Sequence, residues 1–212
     1  MVSTSKLEAL SRLGSATVYE AQGAIGALDS GMRPLDPASR LAGPALTVDT
    51  WPADNLMLHY ALLKAEPGDV LVVDAKAFVE AGPWGDVLTA AAMKVGVAGL
   101  VINGAVRDAA MIVDSGFPVF CRGLSIKGTT KNQPGRLNVP VCIGGVVIHP
   151  GDIVVGDRDG VAIVAADLVD ATLAAAETRE AKENGLRAAI NEGQMTVDLL
   201  GLRATLARLK LE

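Results

Sequence analysis

Three observations predict an α/β fold with a parallel βαβ core, a short-strand C-terminal sheet and a helical C-terminal tail. Apolar runs alternate with helix-periodic stretches between residues 46 and 120. The segment 139–164 is cut into short apolar pieces by Gly144-Gly145, Pro150-Gly151 and Arg158-Asp159-Gly160. From Asp167 onward Ala, Glu, Arg and Leu dominate, the composition of helices.

Taken in order, Leu7, Leu10, Leu13, Val18 and Ala21 recur at helical spacing, so residues 5–25 read as largely helical, with Ser3 or Ser5 as cap and Gly14 as an interruption. Leu46 to Thr50 reads as a strand, and Asn55 to Lys64 as a helix ended by Pro67-Gly68. Val70 to Asp74 is a buried strand. Asp86 to Val95 is a helix, Val97 to Ile102 a second buried strand, and Asn103 to Val106 a turn that leads into a helix over 105–115. Pro118-Val119-Phe120 is a short strand, and the Gly-, Lys-, Thr- and Asn-rich stretch 123–137 reads as a mobile loop. The Asp159-Gly160 step signals a hairpin, and Gly185 and Gly193 are expected to interrupt the C-terminal helices. The segment Pro67-Gly68-Asp69-Val70 echoes Pro150-Gly151-Asp152-Ile153, the same turn chemistry used twice before a strand.

Composition narrows the class of protein. Half of the 212 residues are hydrophobic but only 3% are aromatic, so the core must be built from Val, Ala, Leu and Ile, as suits strands buried on both faces. The length suits a single α/β domain over 1–166 and a helical segment over 167–212 that packs on that domain or on a neighbouring subunit. A net charge of −5, with no two Lys or Arg adjacent, argues against nucleic acid as a partner. The absence of a run of eighteen apolar residues argues against a membrane span. Cys121 and Cys142 form no CxxC and read as small hydrophobes of a reducing compartment. A soluble cytoplasmic protein is expected.

The chemistry-bearing pattern is Asp86, twenty intervening residues, then Arg107-Asp108. Singly these residues read as helix caps, dipole compensation or a surface ion pair. Jointly they follow two turns that, if the preceding strands are parallel, lie at the carboxyl ends of a sheet, where ligands bind in open α/β folds. The turn ending in Gly85 offers backbone N–H groups to a carboxylate. Arg107 offers a charged fork, and Asp86 and Asp108 offer hard oxygen ligands for Mg²⁺ or Mn²⁺. Trp84 either shapes a pocket or fixes the turn. Lys94, Lys127 and Lys131 read as solvated surface rather than Schiff-base lysines, and His59 and His149 lack metal-ligand spacing.

Gly82, three residues, Asp86, twenty residues, then Arg107-Asp108 resembles the signature of the 4-hydroxy-4-methyl-2-oxoglutarate / 4-carboxy-4-hydroxy-2-oxoadipate aldolases, which share a fold with the regulator of ribonuclease activity A. Gly104-Ala105-Val106, Pro118-Val119-Phe120, Gly144-Gly145-Val146, Pro150-Gly151-Asp152 and Asp159-Gly160-Val161 extend the resemblance over most of the chain. It implies a swivelling β/β/α-type domain assembled as a homotrimer or homohexamer, with sites between subunits. It implies a class II aldolase that uses Mg²⁺ or Mn²⁺, cleaves a small 4-hydroxy-2-oxo acid and releases pyruvate, with oxaloacetate decarboxylation as a companion activity. By position, Asp108 would bind the metal, Asp86 would hold metal-bound water, and Arg107 would contact the keto oxygen. The N–H groups around Gly85, Val87 and Leu88 would hold the pyruvate carboxylate, and Glu183 of a neighbouring subunit, with Glu180 as the alternative, would complete the site. A non-enzymatic regulator that inhibits an RNA-degrading enzyme is the competing reading. The joint presence of Asp86, Arg107 and Asp108 favours the enzyme.

Overall fold

The computed structural model describes residues 2–211. Its centre is four parallel strands, β2 (Leu41–Asp49), β3 (Val70–Phe78), β4 (Gly99–Val106) and β5 (Val119–Cys121). The connections between them are helices α3 (Leu56–Leu62), α4 (Asp86–Val95) and α5 (Ala109–Ser115), so the predicted βαβ alternation is realised three times. The two-residue strand β1 (Arg33–Pro34) pairs antiparallel with β5 at one edge. Short strands β6 (Gly123–Leu124) and β7 (Arg136–Leu137) pair with β4 and β2.

The short C-terminal strands divide between two places. β8 (Val141–Ile143) and β9 (Val146–Ile148) form a separate hairpin over Gly144-Gly145. β10 (Ile153–Gly156) and β11 (Val161–Val164) form a hairpin through the expected Asp159-Gly160 turn, and β10 lies antiparallel to β2. The main sheet therefore runs β1-β5-β4-β3-β2-β10-β11.

Alternation along β3 and β4 sends side chains into two cores. Leu71, Val73, Leu100 and Ile102 meet Leu58 and Ala61 of α3, Leu88 and Ala92 of α4 and Ile112 of α5. Val70, Val72 and Val101 point to the other face, against Val141, Ile143 and Ile148 of the β8–β9 hairpin. Burial on both faces explains the nearly continuous Val and Leu runs. A third core lies under α1 (Thr4–Leu13), α2 (Ser15–Ala21) and α6 (Val169–Asn191), where Leu10, Val18, Val169 and Ala176 cover Val155 and Val164. Gly14, at φ +85, separates α1 from α2 as expected. Short helices α7 (Thr196–Leu199) and α8 (Arg203–Arg208) follow. Among the described residues no helix is long and apolar enough to cross a membrane.

Three local expectations are corrected. Asn103 to Val106 is strand rather than turn, and α5 begins at Ala109 instead of 105. Pairing overrides the local Asn-Gly turn signal: Gly104 partners Phe78 beyond an irregularity in β3, and Ala105 and Val106 pair with β6. Gly185 does not interrupt α6, which runs through it for 23 residues; the helix instead ends before Gly193, at φ +93. The segment 123–137 is tied down rather than loose, by β6, β7 and a bridge between Asp54 and Thr130.

Candidate active site

Parallel pairing of β3 and β4 places the Gly82–Gly85 turn and the Arg107-Asp108 step at the same end of the sheet. The two are joined directly. The Arg107 N–H donates to Trp84 O at 2.9 Å, and Trp84 and Val106 form a parallel bridge. Close approach requires glycine at both ends of the turn. A Cβ on Gly82 would stand 2.5 Å from Ser125 O and 3.0 Å from Arg107 Cβ. One on Gly85 would overlap Asp108 Oδ2 and lie 3.2 Å from Arg107 Cγ.

The cap readings of the two acids are not realised. Gly85, not Asp86, is the N-cap of α4. Asp108 is the N-cap of α5 but makes no side-chain cap bond, and it adopts a left-handed backbone at φ +56. That conformation is uncommon outside glycine, and aspartate is among the residues that adopt it most readily. It turns the Asp108 carboxylate towards the start of α4, where Oδ2 accepts from the Asp86 N–H at 3.3 Å and lies 3.4 Å from Arg107 Nε. The Val87 and Leu88 N–H groups belong to the first turn of a ten-residue helix and have no intrahelical acceptor.

Gly82, Gly85, Asp86, Val87, Leu88 and Arg107 line a cleft of about 280 Å³. Its opposite wall is formed by Asn55 and His59 of the α3 region and by Gly128, Thr129 and Lys131 of the pinned loop. His59 and Lys131 were not singled out as site residues by sequence. Burial, and secondarily the Lys131 charge, hold the His59 pKa below its ordinary value, which favours the neutral imidazole. The signal that could have found them is long-range: the bridge from Asp54 to Thr130 carries Lys131 to α3. Lys127, by contrast, pairs with Glu80 at 2.7 Å. His149 lies against Asp152 at the start of β10.

Trp84 fixes the turn and does not line the cleft. It is fully buried, stacks on Phe117 at 6.2 Å, and donates from Nε1 to Thr89 Oγ1 at 2.8 Å. Glu183 is not brought to this cleft within one chain. It lies on α6, where it accepts from Arg187 at 3.0 Å and lies 3.0 Å from Arg179. Among the described residues no group of three or more His, Cys, Asp or Glu is positioned to hold a metal. The Asp86 and Asp108 pair still fits Mg²⁺ or Mn²⁺, hard cations that take one or two protein carboxylates and keep several waters.

This arrangement has counterparts among known proteins. The chain is 38% identical over 170 residues to a Halalkalibacterium halodurans protein named "Putative 4-hydroxy-4-methyl-2-oxoglutarate aldolase", covering 80% of this chain and 81% of that one. A Burkholderia multivorans protein of the same name is 36% identical over 148 residues, covering 70% of this chain and 90% of its own. The crystal structure of Streptomyces coelicolor RraAS2, described as an unusual member of the RNase ES inhibitor RraA protein family, superposes with a TM-score of 0.80 at 31% identity. It covers 89% of this chain and 100% of its own. The family model described as RraA-like, Aldolase/RraA, matches residues 15–163. That span holds the central sheet and every residue lining the cleft, and the chain belongs to the RraA-like family.

Proposed function

We propose that this protein is a divalent-metal-dependent lyase that cleaves a 4-hydroxy-2-oxo diacid and releases pyruvate. The observation that carries the reading is the meeting of the Asp108 carboxylate with the Arg107 guanidinium and the first turn of α4, of which Arg107 and that turn line the cleft and Asp108 stands directly behind them. The names of the relatives from Halalkalibacterium halodurans and Burkholderia multivorans support it.

In this reading the N–H groups of Val87 and Leu88 bind the substrate's 2-oxo carboxylate, helped by the positive end of the helix dipole. Arg107 donates to the keto oxygen. Asp86 and Asp108 hold Mg²⁺ or Mn²⁺, which when bound supplies Lewis-acid stabilisation of developing oxyanion charge. A water held by Asp86 takes the proton of the 4-hydroxyl group, C4 becomes a carbonyl, and the C3–C4 bond breaks. Its electron pair passes into the enolate of pyruvate, whose oxygen faces the preorganised Arg107 fork. The same water returns the proton to C3, which completes the turnover. Oxaloacetate decarboxylation passes through the same enolate and is expected as a companion activity. Lys131, on the opposite wall, suits the second carboxylate of a diacid, with the neutral His59 imidazole beside it as a hydrogen-bond donor. The partner subunit's Glu183 completes the site in a homotrimer or homohexamer, with residues 167–212 as the helical segment that meets the neighbouring chain.

Lactate-dehydrogenase-coupled pyruvate release tests the reading. Activity should need Mg²⁺ or Mn²⁺, vanish with chelator and fall to background in Asp108→Ala. Chelator-insensitive turnover, or unchanged turnover in Asp108→Ala, refutes it. Similarity to the RNase-inhibitor family member from Streptomyces coelicolor favours a second reading, a regulator of an RNA-degrading enzyme. Inhibition of such an enzyme by a chain that releases no pyruvate would establish that alternative.

A further inference from the structure

The cleft has two walls from distant parts of the chain, and one dipeptide touches both. Asp54 and Asn55 immediately precede α3, and both are buried, at 1% and 8% exposure. The Asp54 carboxylate serves the loop wall. Its Oδ2 accepts from Thr130 Oγ1 at 2.7 Å, from the Asn132 N–H at 2.7 Å and from the Gln133 N–H at 3.2 Å. Its Oδ1 accepts from the Leu56 N–H at 2.9 Å, which anchors the same carboxylate to α3. Backbone bonds from the Asn55 N–H to Thr130 O and from the Thr130 N–H to Ala53 O close the junction.

Asn55 serves the other wall. Its Nδ2 donates to Pro83 O at 2.9 Å, inside the turn that presents Gly85, Asp86 and the first N–H groups of α4. The bond is kept at a cost. Asn55 Oδ1 is buried and has no hydrogen-bond partner among the described residues, so its solvation is lost without replacement. Ala53, one residue before the pair, adopts a left-handed backbone at φ +54, a second strained feature at the same place. Strain and an unpaired buried acceptor beside a cleft indicate a segment selected for position rather than for stability alone.

We propose that Asp54 and Asn55 are a pair of positioning residues that set the spacing of the two cleft walls independently. Asp54 holds the Thr129–Lys131 side, and Asn55 holds the turn that carries the carboxylate-binding N–H groups and, through Trp84 O, the backbone of Arg107. The kinetic form of this proposal rests on the lyase reading above. The loop wall faces the part of the substrate remote from the bond that breaks, so loosening it removes binding shared by ground and transition states. The turn wall faces the keto acid end, so shifting it removes alignment needed in the transition state.

The test uses the full-length chain with Asp54→Asn, Thr130→Val, Asn55→Ala and Asn55→Asp. Asp54→Asn retains volume but loses half of its acceptor capacity, and Thr130→Val removes only one donor in case Asp54→Asn folds poorly. Asp54→Asn is expected to raise KM for a 4-hydroxy-2-oxo diacid about tenfold with kcat within about threefold of the parent, and Thr130→Val to do the same more weakly. Asn55→Ala and Asn55→Asp, which both lack the Nδ2 donor, are expected to lower kcat by about tenfold to a hundredfold. An Asn55→Asp variant with parental kcat, or equal KM and kcat effects from both residues, overturns the proposal. Hydrogen–deuterium exchange on the same variants is the readout that does not depend on the lyase reading. Asp54→Asn should speed exchange across 128–133 and leave unchanged the turn segment, read at the Thr89 and Arg107 N–H groups that donate to Gly85 O and Trp84 O, and Asn55→Ala should do the reverse. Exchange that rises in both segments in both variants, or in neither, refutes independent positioning. If the parent chain releases no pyruvate, the lyase reading fails and exchange alone decides the proposal.

Discussion

Gly85→Ala is the sharpest single perturbation of the candidate site. The backbone of Gly85 is extended, at φ −153 and ψ −166, so alanine meets no intrinsic conformational penalty there. Its methyl group would nevertheless occupy the space of Asp108 Oδ2 and lie 3.2 Å from Arg107 Cγ and 3.3 Å from Arg107 Nε. The carboxylate belongs to a side chain that is 33% exposed, so it can rotate outward without disturbing a packed core. The stability cost is therefore that of modest overpacking, about 1–3 kcal/mol. The functional cost is larger: relieving the overlap needs a carboxylate displacement of roughly 1 Å, and a misplacement of that size costs on the order of a hundredfold in rate. Steady-state pyruvate release and thermal unfolding, measured on the same preparation, separate the two effects. The expected outcome is a folded protein with kcat down about a hundredfold. A Gly85→Ala protein with more than a third of parental kcat would refute the placement of Asp108 in the reacting centre. Gly82→Ala offers the contrast. Its methyl group meets the backbone oxygen of Ser125 at 2.5 Å, which cannot rotate away, so stability and activity should fall together.

Three further outcomes are expected. Lys131→Met should raise KM for a diacid substrate about tenfold while leaving KM for a monoacid 4-hydroxy-2-oxo substrate unchanged; equal effects on both would remove Lys131 from the distal site. Mixing refolded Asp108→Ala and Glu183→Gln subunits, each inactive alone, should restore part of the activity, because some sites then combine an intact Asp108 with the partner subunit's Glu183; no recovery on mixing argues against a shared site. The two-pronged ion pair between Arg122 and Asp29, at 2.8 and 2.6 Å, lowers the Asp29 pKa to about 2. A depressed carboxylate contributes stability that is full above its ordinary value of 3.8 and is lost as pH falls through about 2, so Asp29→Asn should flatten the acid limb of a denaturation midpoint–pH curve in that window.

Elements are legible in the sequence where local chemistry and tertiary packing agree. The bounds of α4, Asp86 to Val95, were legible because a Gly-Pro turn precedes it and Gly96 adopts the left-handed cap at φ +90. The two Pro-Gly-Asp turns behave alike. Gly68 and Gly151 take φ +93 and +85, and Asp69 and Asp152 accept backbone N–H bonds from Glu66 and His149. Reading failed where a distant partner decides. Asn103-Gly104 carries a turn signature, yet Asn103 donates to Asp74 at 2.8 Å and Gly104 packs against Ala75 in the neighbouring strand. Half of the cleft was hidden for the same reason. Nothing near Lys131 in the chain points to His59; a buried carboxylate at Asp54, far upstream, draws the two together. The juxtaposition of Arg107 and Asp108 with the Asp86 turn is legible because their spacing reflects one strand-to-strand crossover, a local feature of βαβ folds.

The seat of β10 beside β2 has a kinetic consequence. Ile153 is registered against Pro44 and Gly156 against Leu41, pairs separated by more than a hundred residues of chain. Such a pairing carries a large loop-closure entropy and cannot form until almost the whole parallel core has been made. Until then Leu41 to Pro44 of β2 is an unpaired edge, blunted only by Pro44 and open to the same edge of another nascent chain. Refolding should therefore have a slow, concentration-sensitive last step, and truncation ahead of Ile153 should yield aggregation rather than a smaller soluble domain.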